Sequence, residues 1–109
     1  MVEKSVLKII KKYLKALTVH GVPVKAGVLF GSYATGKMHE WSDIDLLVVS
    51  SRFDKKFKRK DIDLLWHVAA DVDSRIEPIA VGEKQYLESK SSYIIVEARR
   101  EGLLIPLAK

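Results

Sequence analysis

The 109-residue chain contains no cysteine, so disulfides and thiolate zinc sites are excluded, which agrees with a reducing compartment. Long apolar runs are also missing: no stretch approaches the roughly 20 residues needed to span a bilayer. The opening stretch MVEKSVLKIIKKYLK is broken repeatedly by lysine and lacks the apolar region of a secretory signal. A cytoplasmic location with no membrane partner is expected. Low-complexity segments, internal repeats and linker-like stretches are absent too. The 3 prolines fall at boundaries or irregular positions: Pro23 after a helical stretch, Pro78 within a strand-like one, and Pro106 near the end.

What is present is ordinary globular material, 48% hydrophobic and 30% charged. That composition and length predict one domain over residues 1–109 with a modest core. Lys and Arg number 19 against 14 Asp and Glu, a formal net charge of +5. Such a balance favours anionic partners. The positive charges are spread over several segments, so a solvated surface is expected and direct nucleic-acid binding is not.

One stretch carries the chemistry, Leu29 to Val49, LFGSYATGKMHEWSDIDLLVV. It reads as strand, glycine turn, short helix and second strand. Asp43 and Asp45 are two residues apart, so on a strand their carboxylates project from one face while Ile44 and Leu46 point to the other. Two acids opening an apolar strand are costly to bury unless something positive sits between them. Mg²⁺ answers that need, with one or two carboxylates and substrate phosphates completing its shell. Gly31 permits a sharp turn, and a helix starting near Ser32 offers backbone N–H groups and a hydroxyl to an anion. A phosphate cradle facing paired carboxylates is the equipment of phosphoryl or nucleotidyl transfer.

Gly31-Ser32, ten intervening residues, then Asp43-Ile44-Asp45 resembles the signature of the DNA polymerase beta-like nucleotidyltransferase superfamily. With Gly36 and Ser42 added, the form is similar to that of the smallest branch, the MNT (minimal nucleotidyltransferase) proteins, which include antitoxins of HEPN/MNT toxin–antitoxin pairs. The resemblance implies a nucleotidyltransferase fold and a metal triad of Asp43, Asp45 and a third carboxylate on a neighbouring strand. Glu77, in SRIEPIAV, matches that third position but is one methylene longer than the usual Asp. The competing reading of Glu77 is a surface acid paired with Arg75 or a lysine. Gly31, Ser32 and Ser42 are the implied nucleotide-binding residues. The implied activity is Mg²⁺-dependent transfer of AMP from ATP, with one or two ions, onto a hydroxyl, such as a tyrosine of a HEPN partner. Larger relatives carry a separate acceptor-binding domain, so a partner protein or a second copy of the chain would complete the acceptor pocket. Two alternatives stay open: an antitoxin that neutralises a HEPN ribonuclease by contact alone, and transfer to a small molecule or an RNA end.

The remaining segments support this stretch. Residues 3–19 form an amphipathic pattern, with Val6, Leu7, Ile10, Tyr13, Leu14 and Leu17 at spacings of three and four. Residues 25–30 predict a strand, 37–41 a polar loop in which Lys37 or His39 could reach a triphosphate, and 42–50 the acidic strand. Trp41 precedes the acids and is expected to pack under the loop. Residues 51–60 carry Lys55, Lys56, Lys58, Arg59 and Lys60 and predict a solvated connection that could also approach phosphates or an acidic partner.

Residues 61–72 predict a helix with Ile62, Leu65, Val68, Ala69 and Val72 on one face. Its Asp61-Ile62-Asp63 repeats the letters of the active strand, but residues two apart on a helix do not share a face. Asp61 is assigned to capping and to no metal. His67 is expected to pack, and Trp66 to be partly exposed. Residues 74–81 predict an edge strand, since Pro78 removes a ladder donor. A polar segment follows, then a helix over 92–100 stopped by Gly102, then an apolar end at 103–107 that packs on the sheet or on a partner. Together these predict an α/β fold with a mixed sheet of about four strands, helices packed largely on one face, and Ser32, Asp43, Asp45 and Glu77 converging at one edge of the sheet.

Overall fold

The computed structural model describes residues 3–36, 43–55 and 58–107. Helix α1 spans Lys4–Val19, and its stripe of Val6, Ile10, Tyr13, Leu14 and Leu17 is buried. Strand β1, Val24–Phe30, follows and leads through Gly31 into the single-turn helix α2, Ser32–Thr35. Strand β2 is Ile44–Ser50, and a short 3₁₀ turn, Ser51–Asp54, follows it. Helix α3, Arg59–Val72, crosses to strand β3, Ile76–Val81. Helices α4, Glu83–Glu88, and α5, Tyr93–Glu101, precede the last strand, β4, Leu103–Pro106.

The four strands form one mixed sheet in the order β3-β2-β1-β4. β1 is antiparallel to both β2 and β4, whereas β2 and β3 run parallel with α3 as their crossover. The alternation along β2 divides the core. Ile44, Leu46 and Val48 face α1 and α3, while Leu47 and Val49 face the other side with Val28, Val81, Ile95 and Ala98. The two long helices thus share one face, as the sequence pattern requires, and α5 covers a smaller patch of the other. Gly27 lets α1 approach the sheet closely, since a Cβ there would meet Leu14 at 3.0 Å and Leu46 at 3.2 Å. Across the helices, the buried Tyr13 hydroxyl donates to the Leu65 carbonyl at 2.9 Å, and burial raises its pKa.

Several elements depart from the sequence reading. The polar run after β2 hides a buried aromatic, Phe53, inside the 3₁₀ turn. The segment before α5 is helical, because Asp54 accepts from the amides of Lys84 at 3.0 Å and Gln85 at 3.3 Å at the start of α4. Arg99 donates to the carbonyls of Tyr86 and Ser89, closing the end of that helix against α5. Ser92 caps α5 by accepting from the Ile95 amide at 3.4 Å. On α3, Ile62 lies off the buried face at 40% exposure. His67 does not pack: it is exposed, 3.8 Å from Asp71 one turn along the helix. Trp66 is partly exposed, as its position suggested. The apolar end becomes β4 and completes the sheet beside β1, and Pro78 does sit on an edge strand. Lys37, His39, Trp41 and Ser42 lie outside the described residues.

Asp61 performs the capping role. Its carboxylate accepts the Lys58 amide at 2.9 Å and the Arg52 guanidinium at 2.7 Å, and it is 5% exposed. These bonds, the Lys58 amide first, hold its pKa below the ordinary carboxylate value. A depressed folded-state pKa stabilises the fold above the unfolded value of about 3.9. That stabilisation is lost as pH falls through the folded pKa. Asp61→Asn is therefore expected to cost about 2 kcal/mol at pH 7. The gap from wild type, measured by urea unfolding, should narrow below about pH 4.

Candidate active site

The turn leaving β1 is dictated by one residue. Gly31 has φ 74° and ψ −149°, a region essentially confined to glycine. A Cβ at this position would lie 2.2 Å from Oδ2 of Asp45. The Asp45 carboxylate therefore rests against the bare Cα of Gly31. This contact follows from the register, which sets Phe30 opposite Asp45 across the antiparallel ladder. Beyond Gly31 the chain turns at once into α2, where Ala34 and Thr35 both donate their amides to the Gly31 carbonyl at 3.1 Å. Ser32 is the first residue of that turn and is partly exposed. The leading amides of a helix have no acceptor of their own, which leaves this turn suited to an anion.

The acids come from two strands. Asp43 is exposed and stands just before β2, and Asp45 is half-buried within it. In the parallel ladder Asp45 is in register with Glu77. All three carboxylates therefore meet at one end of the sheet, on the face shared with α5. Glu77 has its pKa raised by a hydrogen bond with Asp43, then by burial, then by the charges of Asp43 and Asp45. Asp45 is raised by burial and by Asp43. Among the described residues no cation pairs with Glu77. Arg75, the rival partner suggested by the sequence, is engaged elsewhere.

Arg75 is the residue that sequence reasoning missed. Asp73 grips it through Nε at 3.1 Å and a terminal guanidinium nitrogen at 2.9 Å, which holds the Asp73 pKa below its ordinary value. The other terminal nitrogen donates to the Tyr33 hydroxyl at 3.1 Å, and the Arg75 carbonyl accepts the Ile44 amide at 2.8 Å. One side chain and one carbonyl thus tie α2, the start of β2 and the start of β3 together. The signal was a tyrosine directly after Gly-Ser and an arginine two residues before Glu77, both legible only once the strands are paired.

Three carboxylates gathered at one end of the sheet, with Asp45 and Glu77 both raised in pKa by their surroundings, form a donor set that fits a hard divalent cation. Among the described residues no three acidic, histidine or cysteine side chains are already spaced to enclose an ion, and Asp43 and Glu77 share a hydrogen bond instead. Mg²⁺ needs only one or two protein carboxylates when phosphate oxygens complete its shell, so the residues fit that mode of binding. A cleft of about 270 Å³ opens beside Gly31, walled by Phe30, Thr35, Tyr93, Ile94 and Glu97.

Two outcomes follow from this geometry. Gly31→Ala forces a Cβ against Asp45 at a backbone angle L-residues avoid. It should cost about 1–3 kcal/mol in urea unfolding and displace the Asp45 carboxylate. Glu77→Gln removes a carboxyl whose folded-state pKa is raised. Such a group makes the fold less stable as pH rises through the window above its unfolded pKa, so the metal-free variant should melt at a higher temperature than wild type at pH 8 in calorimetry.

The nucleotidyltransferase domain family matches residues 7–103. A bifunctional uridylyltransferase/uridylyl-removing enzyme of Stutzerimonas stutzeri (strain A1501) is 33% identical over 57 residues, 49% of this chain but 6% of that enzyme. The chain thus spans a small fraction of that relative's length. Among solved structures, a candidate nucleotidyltransferase from Sulfolobus solfataricus superposes with a TM-score of 0.62 at 21% identity, over 90% of this chain and 77% of the other. A toxin–antitoxin structure with AMP-PNP gives a TM-score of 0.57 at 20% identity, over 86% and 70% of the two chains. A MntA-HpeT toxin–antitoxin variant with two aspartates changed to glutamate gives a TM-score of 0.57 at 20% identity, over 85% and 68%. No helix among the described residues is long and apolar enough to cross a membrane. Across nearly its whole length the chain belongs to the nucleotidyltransferase domain family and is a transferase of that kind.

Proposed function

We propose that the protein transfers AMP from ATP to a hydroxyl acceptor in the presence of Mg²⁺, that the acceptor is a tyrosine on a HEPN-type toxin partner, and that the modification makes this chain an antitoxin of the cytoplasm. The observation that carries the reading is the pairing of Asp45 with Glu77 across β2 and β3, with Asp43 hydrogen-bonded to Glu77 and Gly31 pressed on Asp45. The AMP-PNP and the toxin–antitoxin assemblies named in two fold neighbours favour the adenine nucleotide and the protein partner.

Asp43 and Asp45, with Glu77, would hold the ion, which when bound neutralises phosphate charge and polarises the phosphorus under attack. The Gly31–Ser32 turn aims its leading amides and the Ser32 hydroxyl at the terminal phosphates, and Ser42 would add a further contact. The cleft walled by Phe30, Tyr93 and Ile94 offers an apolar bed for the nucleoside. Glu77, whose pKa is raised by its hydrogen bond with Asp43 and by burial, accepts the proton of the incoming hydroxyl as that oxygen attacks the α-phosphorus. The bond to the β-phosphate oxygen breaks and pyrophosphate leaves. Arg75 is a positioning residue: through Tyr33 it holds the phosphate turn at a fixed distance from the strand that bears Glu77.

Calorimetric titration of ATP tests the reading. Binding should require Mg²⁺ and disappear in the Asp43→Asn, Asp45→Asn double variant. Transfer of labelled AMP to a HEPN partner should fall at least about 100-fold with it, the scale on which ion and positioning terms act. Undiminished transfer by the double variant would overturn the assignment, and neutralisation of the toxin surviving the loss of both acids would favour inhibition by contact alone. Arg75→Met should weaken ATP binding while leaving both acids in place.

A further inference from the structure

A larger cavity, about 750 Å³, opens at the opposite end of the sheet, where β1 begins and β2 ends. Arg52, Lys55, Lys58 and Lys60 line it, with Asp61 as the acid among its walls. Ser51 on its rim lies six residues from Asp45 along extended chain, about 20 Å away. These cations therefore sit at the end of the sheet away from Gly31 and Asp45, while Lys56 of the same run lies outside the described residues. The basic run after β2 thus lies at the end of the sheet away from the acids.

We propose that this cavity binds the phosphate backbone of a nucleic-acid strand, recognising charge and not base sequence. The acid is already committed: Asp61 is bound to Arg52 and to the Lys58 amide, which fixes the guanidinium at the cavity wall. Arg52 also donates to the Gly21 carbonyl at 3.4 Å. The nearby Asp54 is turned away to the start of α4. Among the described residues Lys55, Lys58 and Lys60 are exposed and form no ion pair. Three lysines on flexible stems around one fixed guanidinium suit evenly spaced phosphates, whose counterions are released on binding. An acidic protein surface fits less well, because protein interfaces centre on aromatic and apolar side chains and are depleted in lysine. Among the described lining residues none is aromatic.

Fluorescence polarisation of a labelled mixed-sequence 20-nucleotide RNA, with the whole chain as titrant, tests the proposal. Affinity should fall about 20-fold or more between 50 and 200 mM salt, the response expected for three to four phosphate contacts on a single strand. The Lys55→Gln, Lys58→Gln, Lys60→Gln variant should lose at least about tenfold at 50 mM salt. A control with Lys4→Gln, Lys8→Gln and Lys11→Gln on exposed positions of α1 should stay within about threefold of wild type. Saturating ATP and Mg²⁺ should not compete, which separates this site from the catalytic end, so each can fail without the other. Absence of RNA binding, equal losses in the two triple variants, or equal affinity for a poly-glutamate peptide would overturn the proposal. Thermal melts of both variants check that each remains folded.

Discussion

Carboxylate charge at the start of β2, without a paired cation among the described residues, is the constraint around which this small fold is arranged. Asp43 raises the cost of ionising both Asp45 and Glu77, Asp45 adds to that of Glu77, and among the described residues no cation pairs with them. Such an arrangement persists only if the surrounding backbone over-determines it. Gly31 does so from one side, giving up a side chain so that Asp45 has a place to rest. Parallel pairing of β2 with β3 does so from the other, fixing Glu77 level with Asp45. The Asp73–Arg75–Tyr33 chain then locks the phosphate turn to the same frame. Under the proposed function, that electrostatic cost in the free protein is what would make the site receptive to a cation and its phosphates.

Most of this was legible in the residues because the governing signals are local. Gly31-Ser32 announces a turn through glycine's conformational freedom, and Asp43-Ile44-Asp45 announces a shared face through strand periodicity. The stripe of α1 and the capping role of Asp61 follow from equally local rules. What escaped was non-local. Arg75 is an unremarkable arginine until the start of β3 is set beside α2. α4 reads as polar loop because its first turn is capped by Asp54, some 30 residues earlier. His67 looked like a packing residue because helical periodicity gives a stripe but not its width; the buried band of α3 stops at Leu65, Val68 and Ala69. Glu77 was balanced between two roles, and only the register of β3 separates Asp45 from Arg75 as its neighbour.

The two ends of the sheet differ in sign. Three acids gather where β1 ends and β2 begins, and four cations gather where β1 begins and β2 ends. Separation of this kind orients a charged partner during encounter before any contact is made.

The outer strands also bear on how copies of the chain meet. Both are short, and each contains a proline, Pro78 in β3 and Pro106 in β4. A proline supplies no amide hydrogen, so each free border offers an interrupted template for backbone pairing. Recruitment of another chain by lengthening the sheet is thereby discouraged on both flanks. Assembly, whether with a toxin or with a second copy, is left to side-chain surfaces, which can be reshaped by substitution without altering how the sheet itself is built.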